Sequence, residues 1–244
     1  MTPSKADIKL IRSLDKKRAR ESTGLFVVEG EKLYGELLES DLVIHKVFSR
    51  EEISEEMMSK ISHLSTPSPI LAIVKKPPVK NEPRLKPGKL YLALDSVKDP
   101  GNMGTIIRLA EWFGVKNIFC SHDCVDIYNP KVVQSAMGSL FRIEIQYQDL
   151  KEVIQQCKPD IPVYGTFLTG ENIYNENLPQ GAMVVLGSES FGICNELSHM
   201  VDRRVHIPSF AFETKGGESL NVAIAAAVVC SEFRRSSVLK PQKG

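Results

Sequence analysis

The chain lacks the features that identify several common classes of protein. Its longest purely apolar run, Val222–Cys230, is too short to cross a bilayer. The polar and basic N-terminus has no apolar core of a signal peptide. The five cysteines are odd in number and include no Cys-x-x-Cys pair, which argues against a disulfide framework and fits a reducing compartment. We therefore expect a cytoplasmic protein with no membrane partner.

The chain also lacks the motifs of several ligand sites. Cys120 and Cys124 flank His122, but no second pair of ligands follows at the spacing of a zinc site, so we expect no metal. No Gly-x-Gly-x-x-Gly follows a strand, and there is neither a Walker loop nor a Gly-x-Ser-x-Gly elbow. These absences argue against a nucleotide-dependent enzyme built on a plain α/β sheet.

What is present is an ordinary globular composition in which strands alternate with helices, the pattern of an α/β protein. We predict a small α/β domain over 1–74, a Pro- and Lys-rich linker over 75–89, and a larger α/β domain over 90–244. The first domain begins with a basic helix, Ile8–Arg20. Strands of the second domain, rich in Val, Leu and Ile without alternation, predict a parallel sheet covered on both faces. They are Leu90–Leu94, Asn117–Cys120, Phe141–Ile145, Pro162–Phe167, Met183–Gly187 and Arg204–Ile207.

The first candidate site segment runs from Asp99 to Arg108, after the strand that ends at Leu94. A strand, a Pro/Gly turn and a helix that starts at Asn102 are typical of a ligand-binding edge, because a helix N-terminus offers free N–H groups and partial positive charge. Gly104 and Arg108 share one helix face. Gly104 leaves room there, and Arg108 brings a permanent charge.

Two further polar segments follow predicted strands. Gly187 and Gly192 flank Glu189 in a loop directly after Met183–Gly187. Ser219 and Asn221 precede an apolar, Ala-rich helix that we expect to be buried on every side. Because ligands of open α/β sheets bind at the carboxyl ends of strands, these polar residues are expected at one site.

The three segments, in this order, resemble the SpoU/TrmH class of the SPOUT RNA methyltransferases. They correspond to an Asn-x-Gly-x-x-x-Arg run, a Gly-x-Glu-x-x-Gly loop, and an Ile-Pro followed by Ser-Leu-Asn-Val. The matching residues are Asn102, Gly104, Arg108, Gly187, Glu189, Gly192, Ile207, Pro208, Ser219, Leu220, Asn221 and Val222. The segments 25–30 and 70–74 carry a weaker resemblance to an L30e-like substrate-binding domain. The loop over 209–218 looks longer than is usual for the family.

The resemblance implies a trefoil-knotted SPOUT domain after a smaller L30e-like domain, a homodimer formed through the C-terminal domain, and methyl transfer from S-adenosyl-L-methionine to a ribose 2′-OH. The implied catalytic residues are Arg108, Asn102, Glu189, Ser219 and Asn221. The implied cofactor-binding residues are Thr166, Leu186, Gly187, Ile207, Pro208, Ser219 and Leu220. The implied RNA-binding residues are Lys16, Lys17, Arg18 and Arg108.

Several alternatives remain open on the sequence. Ribosomal RNA is favoured over transfer RNA as substrate only by analogy with the fused L30e-like domain. A tRNA 2′-O-methyltransferase and a non-catalytic RNA-binding protein of the same fold are the alternatives. Arg108 is either a base or a group that stabilises charge, and the second role is favoured because an arginine side chain is effectively always protonated.

Overall fold

The computed structural model describes residues 3–78, 85–210 and 219–238, with the side chains of 236–238 left aside. These residues form two compact units, one of 3–78 with 126–142 and one of 85–125, 143–210 and 219–238. The segment 126–142 therefore groups with the N-terminal residues. The division at 1–74, 75–89 and 90–244 stays a prediction about domains, and the linker residues 79–84 and loop residues 211–218 lie outside the described ranges.

The elements alternate along the chain as the sequence pattern predicts. The strands are β1 (Leu25–Glu29), β2 (Ile44–Ser49), β3 (Ile70–Lys75), β4 (Leu90–Leu94), β5 (Asn117–Cys120), β6 (Glu144–Tyr147), β7 (Val163–Asn172), β8 (Ala182–Leu186) and β9 (Arg203–His206). The helices are α1 (Lys5–Ser13), α2 (Lys17–Thr23), α3 (Glu31–Leu38), α4 (Glu55–Ile61), α5 (Pro100–Trp112), α6 (Pro130–Ala136), α7 (Leu150–Cys157), α8 (Asn195–Ser198) and α9 (Val222–Val238).

The N-terminal unit is built on a three-stranded antiparallel sheet in the order β1-β3-β2. The predicted single helix Ile8–Arg20 is wrong, since the chain forms α1 and α2 with a break at 14–16. Leu14, at the end of α1, is fully buried in the core of this unit, together with Ile11 and Phe48. Burying Leu14 turns the chain at this point, a tertiary effect that the run of basic residues conceals.

Arg20 lies among the basic residues of the predicted helix, but the structure does not place it on the surface. Its side chain is 1% exposed. The guanidinium donates from Nε to Asp126 Oδ2 at 2.8 Å and from Nη1 to the carbonyl oxygens of Leu14 and Asp15 at 2.7 and 3.0 Å. Nη2 lies 2.7 Å from the same carboxylate oxygen. The ion pair thus joins α2 to the segment 126–142 inside one unit.

Replacing Arg20 with Ala is expected to lower the free energy of unfolding of the N-terminal unit by about 3–5 kcal/mol, because Asp126 is left charged, buried and unpaired. Urea denaturation followed by circular dichroism measures the loss. Arg18→Ala is the matched control, since Arg18 is exposed on the same helix and its replacement should change stability by less than about 0.5 kcal/mol. Equal stability of the two variants would contradict a structural role for the ion pair.

The C-terminal unit is a six-stranded sheet in the order β6-β5-β4-β8-β7-β9, and every neighbouring pair is parallel. The predicted parallel sheet is confirmed. β4 and β8 at its centre are buried along their whole length, as continuous apolar strands covered on both faces should be. None of the described helices is long and apolar enough to cross a membrane.

Three details of this unit differ from the sequence expectation. α5 begins at Pro100 and is capped by Asp99, so Asn102 lies within its first turn. The strand predicted at Phe141–Ile145 is displaced to β6, because a 3-10 turn occupies Ser139–Phe141. The Ala-rich helix α9 is not buried on every side, since Ile224 is 53% exposed.

Candidate active site at the carboxyl ends of the parallel strands

The candidate site begins where the two central strands of the C-terminal sheet end. β4 and β8 run parallel, with Leu94 paired to Leu186, so the segments that follow them leave the same edge of the sheet. One segment leads into α5, and the other is the loop that carries Glu189. The sequence predicts that the polar residues of all three segments lie at this edge. The strand register places two of them there, the segment after β4 and the loop after β8.

The N-terminus of α5 fixes the position of Asn102. The carboxylate of Asp99 caps the helix by accepting a hydrogen bond from the backbone N–H of Asn102 at 2.8 Å. Pro100 occupies the first turn, where its missing N–H costs nothing. The Asp-Pro-Gly-Asn sequence is therefore a helix start in which the side chain of Asn102 projects from the capped turn.

Three predicted catalytic residues form one hydrogen-bonded chain. The side-chain oxygen of Asn221 caps α9 by accepting from the backbone N–H groups of Ala223 and Ile224 at 2.9 and 3.3 Å. Its amide group is then left to donate to Asn102 Oδ1, at 2.8 Å. The amide group of Asn102 in turn donates to Glu189 Oε1. The helix cap thereby sets the direction of both side-chain amides, and the chain ends on a carboxylate.

The chain of Asn221, Asn102 and Glu189 does not include Arg108 or Ser219. Both are exposed, and neither side chain has a hydrogen bond or ion pair among the described residues. Arg108 lies six residues after Asn102, or about one and two-thirds helical turns, so the two side chains leave α5 on different faces. The guanidinium is thus available to a ligand, and Ser219 lies two residues before the cap of α9.

The loop after β8 is closed on itself. Ser188 and Gly192 exchange two backbone hydrogen bonds, at 3.1 and 2.9 Å, and Gly192 has a φ of +68°. A Cβ on Gly187 would lie 2.0 Å from the carbonyl carbon of Gly192, so only glycine allows the two backbones to approach so closely. Both glycines of the motif are therefore needed to hold Glu189 in place.

Asp95 is a residue of the site that sequence reasoning did not assign. It follows β4 directly and is only 5% exposed. Its Oδ2 accepts a hydrogen bond from the backbone N–H of Cys194 at 2.7 Å, at the far end of the Glu189 loop. One feature of the sequence could have indicated this role. Asp95 is a carboxylate directly after a wholly apolar strand, as the polar residues of the Glu189 loop are directly after β8.

The predicted cofactor-binding residues are divided among β7, β8, β9 and the approach to α9, and the three strands are neighbours in the sheet. Leu186 and Gly187 lie at the end of β8 and Ile207 and Pro208 directly after β9, whereas Thr166 lies within β7 and Ser219 and Leu220 precede α9. Thr166 donates from Oγ1 to the carbonyl oxygen of Val185 at 3.2 Å, and the register of β7 against β9 shifts directly after it. Ile207 and Pro208 continue beyond β9 as half-buried irregular chain, whereas Leu220 is exposed. The buried ring nitrogen Nδ1 of His206, next to Ile207, has no partner among the described residues.

The turn after β5 borders this edge of the sheet. Ser121 donates from Oγ to Asp123 at 2.6 Å, and this bond lowers the pKa of Asp123. A hydrogen bond from Cys120 lowers the pKa of Cys124 to about 7, and the same bond, with burial, raises that of Cys120. Within the described residues, no group of three or more His, Cys, Asp or Glu side chains is arranged to hold a metal ion.

The predicted RNA-binding residues of the N-terminal unit are exposed. Lys16 immediately precedes α2, and Lys17 and Arg18 lie in its first turn. Lys17 lies 3.9 Å from Glu21, one turn further along. The three cations are thus accessible on one short segment of the unit.

Comparisons with known proteins agree with this arrangement. Residues 89–231 match the SpoU rRNA Methylase family, and residues 5–53 match the MRM3-like substrate binding domain. The chain is 30% identical to the 23S rRNA (guanosine(2553)-2′-O)-methyltransferase RlmP of Bacillus subtilis, over 91% of this chain and 94% of that protein. It is 30% identical to the mitochondrial rRNA methyltransferase 3 of Mus musculus, over 91% of this chain and 70% of that protein.

A solved structure shows the same fold over nearly the whole length. The AdoMet-bound rRNA methyltransferase from Sinorhizobium meliloti superimposes with a TM-score of 0.83 and 27% identity, covering 97% of each chain. The family match spans the C-terminal sheet and includes each of the three segments from which the site is built. The chain therefore belongs to the SpoU rRNA methylase family.

Proposed function

We propose that the protein transfers a methyl group from S-adenosyl-L-methionine to a ribose 2′-OH of ribosomal RNA. The hydrogen-bonded chain from Asn221 through Asn102 to Glu189 is the observation that carries the proposal, because it joins all three family motifs into one polar site. The relatives that are named as rRNA 2′-O-methyltransferases and the AdoMet-bound neighbour support the substrate and the methyl donor.

The carboxyl edge of β7, β8 and β9 fits the proposed methyl donor. Irregular backbone follows β8 and β9, and such segments offer N–H and C=O groups that can read the edge of an adenine. The orphaned Nδ1 of His206 lies at the same edge, and a buried polar atom normally has a partner. Leu186, Gly187, Ile207 and Leu220 would hold the cofactor, which supplies an electrophilic methyl group on a positively charged sulfur.

The protein's own residues have two tasks in this reaction. A ribose hydroxyl is a weak nucleophile, so developing negative charge on its oxygen must be stabilised, and Arg108 supplies a permanent positive charge for this purpose. The Asn221–Asn102–Glu189 chain orients the acceptor, because Glu189 Oε1 is already held by Asn102. Placing the hydroxyl in line with the methyl group contributes several kcal/mol to lowering the barrier.

The N-terminal unit would select the RNA. Exposed Lys16, Lys17 and Arg18 would contact phosphates, and neutralising phosphates releases counterions. RNA affinity should therefore fall as salt concentration rises. We also propose the trefoil-knotted arrangement of the C-terminal domain and a cytoplasmic location.

Mass mapping of ribose methylation tests the proposed function. Ribosomal and transfer RNA from a strain that lacks this protein would be incubated with the purified protein and isotopically labelled S-adenosylmethionine. We expect one labelled 2′-O-methyl group in ribosomal RNA. Label in transfer RNA alone would show that transfer RNA, and not ribosomal RNA, is the substrate. Cofactor binding without transfer to either pool would point to another RNA. Absence of both transfer and cofactor binding would favour a non-catalytic RNA-binding protein.

We further propose a homodimer formed through α5 and α9 of the C-terminal domain. The two helices pack against each other, and each leaves a large apolar side chain in solvent. Trp112, the last residue of α5, is 84% exposed, and Ile224 in the first turn of α9 is 53% exposed. Exposed side chains of this size on packed helices are typical of an oligomer interface.

Replacing Ile224 with Arg is expected to convert the dimer to a monomer at micromolar concentration, because the interface would bury an unpaired charge. Size-exclusion chromatography with light scattering measures the change in mass. Leu38→Arg is the matched control, since Leu38 is also exposed but lies in the N-terminal unit. A wild-type protein that is already monomeric, or an Ile224→Arg variant that stays dimeric, would contradict the proposed interface.

A further inference from the structure

The loop that carries Glu189 is attached at both ends to one buried residue. Asp95 donates its backbone N–H to the carbonyl oxygen of Leu186 at 2.8 Å, at the residue that ends β8. Its side-chain Oδ2 accepts from the backbone N–H of Cys194 at 2.7 Å, at the residue before α8. The chain between these two points is the segment 187–193. Asp95 therefore bonds to both ends of the loop, and Ile193, buried in the core, adds an apolar contact at one of them.

The side chain of Asp95 is itself held from its other side. The Oγ of Ser96 lies 3.1 Å from Asp95 Oδ1 and 2.7 Å from Asp123 Oδ2, so the single hydroxyl hydrogen is shared between the two carboxylates. Ser96 adopts a φ of +60°, in the left-handed region that residues other than glycine rarely occupy. Its backbone N–H is held by Ser121 Oγ at 2.9 Å. A strained backbone that is fixed through both its N–H group and its side-chain hydroxyl is typical of a functional position.

The loop above this attachment is supported by polar contacts alone. Within it, the Ser188–Gly192 bonds close the tip, and the amide group of Asn102 holds Glu189. Glu189 and its three following residues are exposed, so apolar packing does not fix the tip. The position of the Glu189 carboxylate therefore depends on polar contacts at its tip and on the attachment of the base.

We propose that Asp95 is a positioning residue that clamps both ends of the Glu189 loop and so holds the Glu189 carboxylate in register with Asn102. This inference rests on the proposed methyl transfer for its kinetic consequence. Its structural consequence, protection of the Cys194 amide, does not depend on any activity. The side chain acts through the loop, because it is only 5% exposed and its hydrogen bonds join it to Cys194 and Ser96.

Two substitutions separate the clamp from simple loss of a side chain. Asp95→Leu has a similar volume but leaves the N–H of Cys194 without an acceptor. Asp95→Asn keeps a carbonyl oxygen for Cys194, while its amide group can donate to Ser96 Oγ. Asp123→Asn is the matched control, because Asp123 shares Ser96 with Asp95 but has no hydrogen bond to the loop. Each variant would be studied as the full chain.

Single-turnover methyl transfer at saturating RNA and cofactor is the first measurement. We expect Asp95→Leu to lower the rate by about 10- to 100-fold, since misplacing a reacting group by about 1 Å has effects of this size. The KM for RNA should stay within about twofold, because the N-terminal cations are untouched. Asp95→Asn should recover the rate to within about fivefold of wild type, and Asp123→Asn should match wild type, since neither leaves a backbone donor unpaired.

Hydrogen–deuterium exchange of the backbone amides is the second measurement. Faster exchange confined to 187–194 in Asp95→Leu, with unchanged exchange in β4 and β8, is the expected result. Exchange and rate equal to wild type in Asp95→Leu would overturn the clamp. Exchange that increases throughout the C-terminal sheet would also overturn it, since Asp95 would then stabilise the whole fold. If wild type transfers no methyl group, the proposed function fails, and the exchange result still decides the clamp.

Discussion

Replacing Arg108 with Ala is expected to lower kcat for methyl transfer by about 10²- to 10³-fold and to leave the Kd for S-adenosylmethionine within about twofold. The reason is the isolation of the guanidinium. It is exposed, has no hydrogen bond or ion pair within the described residues, and lies outside the Asn221–Asn102–Glu189 chain. Among the described residues this charge makes no contact that holds the fold or the cofactor edge, so its removal should act mainly on the bound RNA and on the charge that develops during the reaction.

Two further variants make the Arg108 result specific. Arg108→Lys keeps the charge but loses the planar, bidentate donor geometry, so we expect a rate between those of wild type and Arg108→Ala. Arg203→Ala is the control, because Arg203 is an exposed arginine at the first residue of β9. It therefore lies at the amino end of its strand, whereas the site is built at the carboxyl ends. Loss of cofactor binding in Arg108→Ala, measured by calorimetry, would instead place Arg108 in the cofactor site.

The sheet and the composition of the site could be predicted because both depend on local patterns. The apolar runs predict β4 and β5 with correct bounds, and β8 to within one residue. Parallel strands end at one edge, so motifs that follow them meet there. This reasoning brings Asn102, Glu189 and Asn221 together correctly, although Asn221 lies far along the chain.

The features that the sequence concealed depend on partners distant in the chain. In the sequence Arg20 resembles one more surface cation, but its charged partner Asp126 lies 106 positions away and is brought to it only by the fold. Asp95 gains its role from an amide 99 positions away. Ile224 belongs to the apolar first half of α9, yet it is 53% exposed, and composition alone does not say which face of a helix packs against the rest of the fold. Pairings of this kind are tertiary and leave no periodic signal.

The direction of the amide chain makes a second large effect predictable. In wild type, the first turn of α9 donates to the side-chain oxygen of Asn221, so the remaining hydrogen bonds run toward Glu189. Asn102→Asp keeps the acceptor for Asn221 but removes the donor to Glu189 and places two carboxylates in contact. Two carboxylates in contact cannot both be ionised without moving apart. The pKa for loss of the second proton of the pair is therefore raised.

Asn102→Asp should therefore lower the transfer rate by about 10²-fold at pH 8, where both carboxylates are ionised and the Glu189 loop is displaced. The rate should recover as pH falls, because one proton shared by the raised-pKa pair restores a donor. Asn117→Asp is the control, since Asn117 also donates to a glutamate, Glu144, at 2.8 Å. These two residues begin β5 and β6 and so lie at the amino ends of the strands, away from the site. Its pH–rate profile should match wild type.

A second substitution, Glu189→Gln, restores a donor opposite the new carboxylate at position 102 and should return part of the rate at pH 8 if Glu189 serves to position the acceptor. No return would mean that the reaction needs the negative charge of Glu189 itself, and full activity of Asn102→Asp at pH 8 would remove the chain from the mechanism.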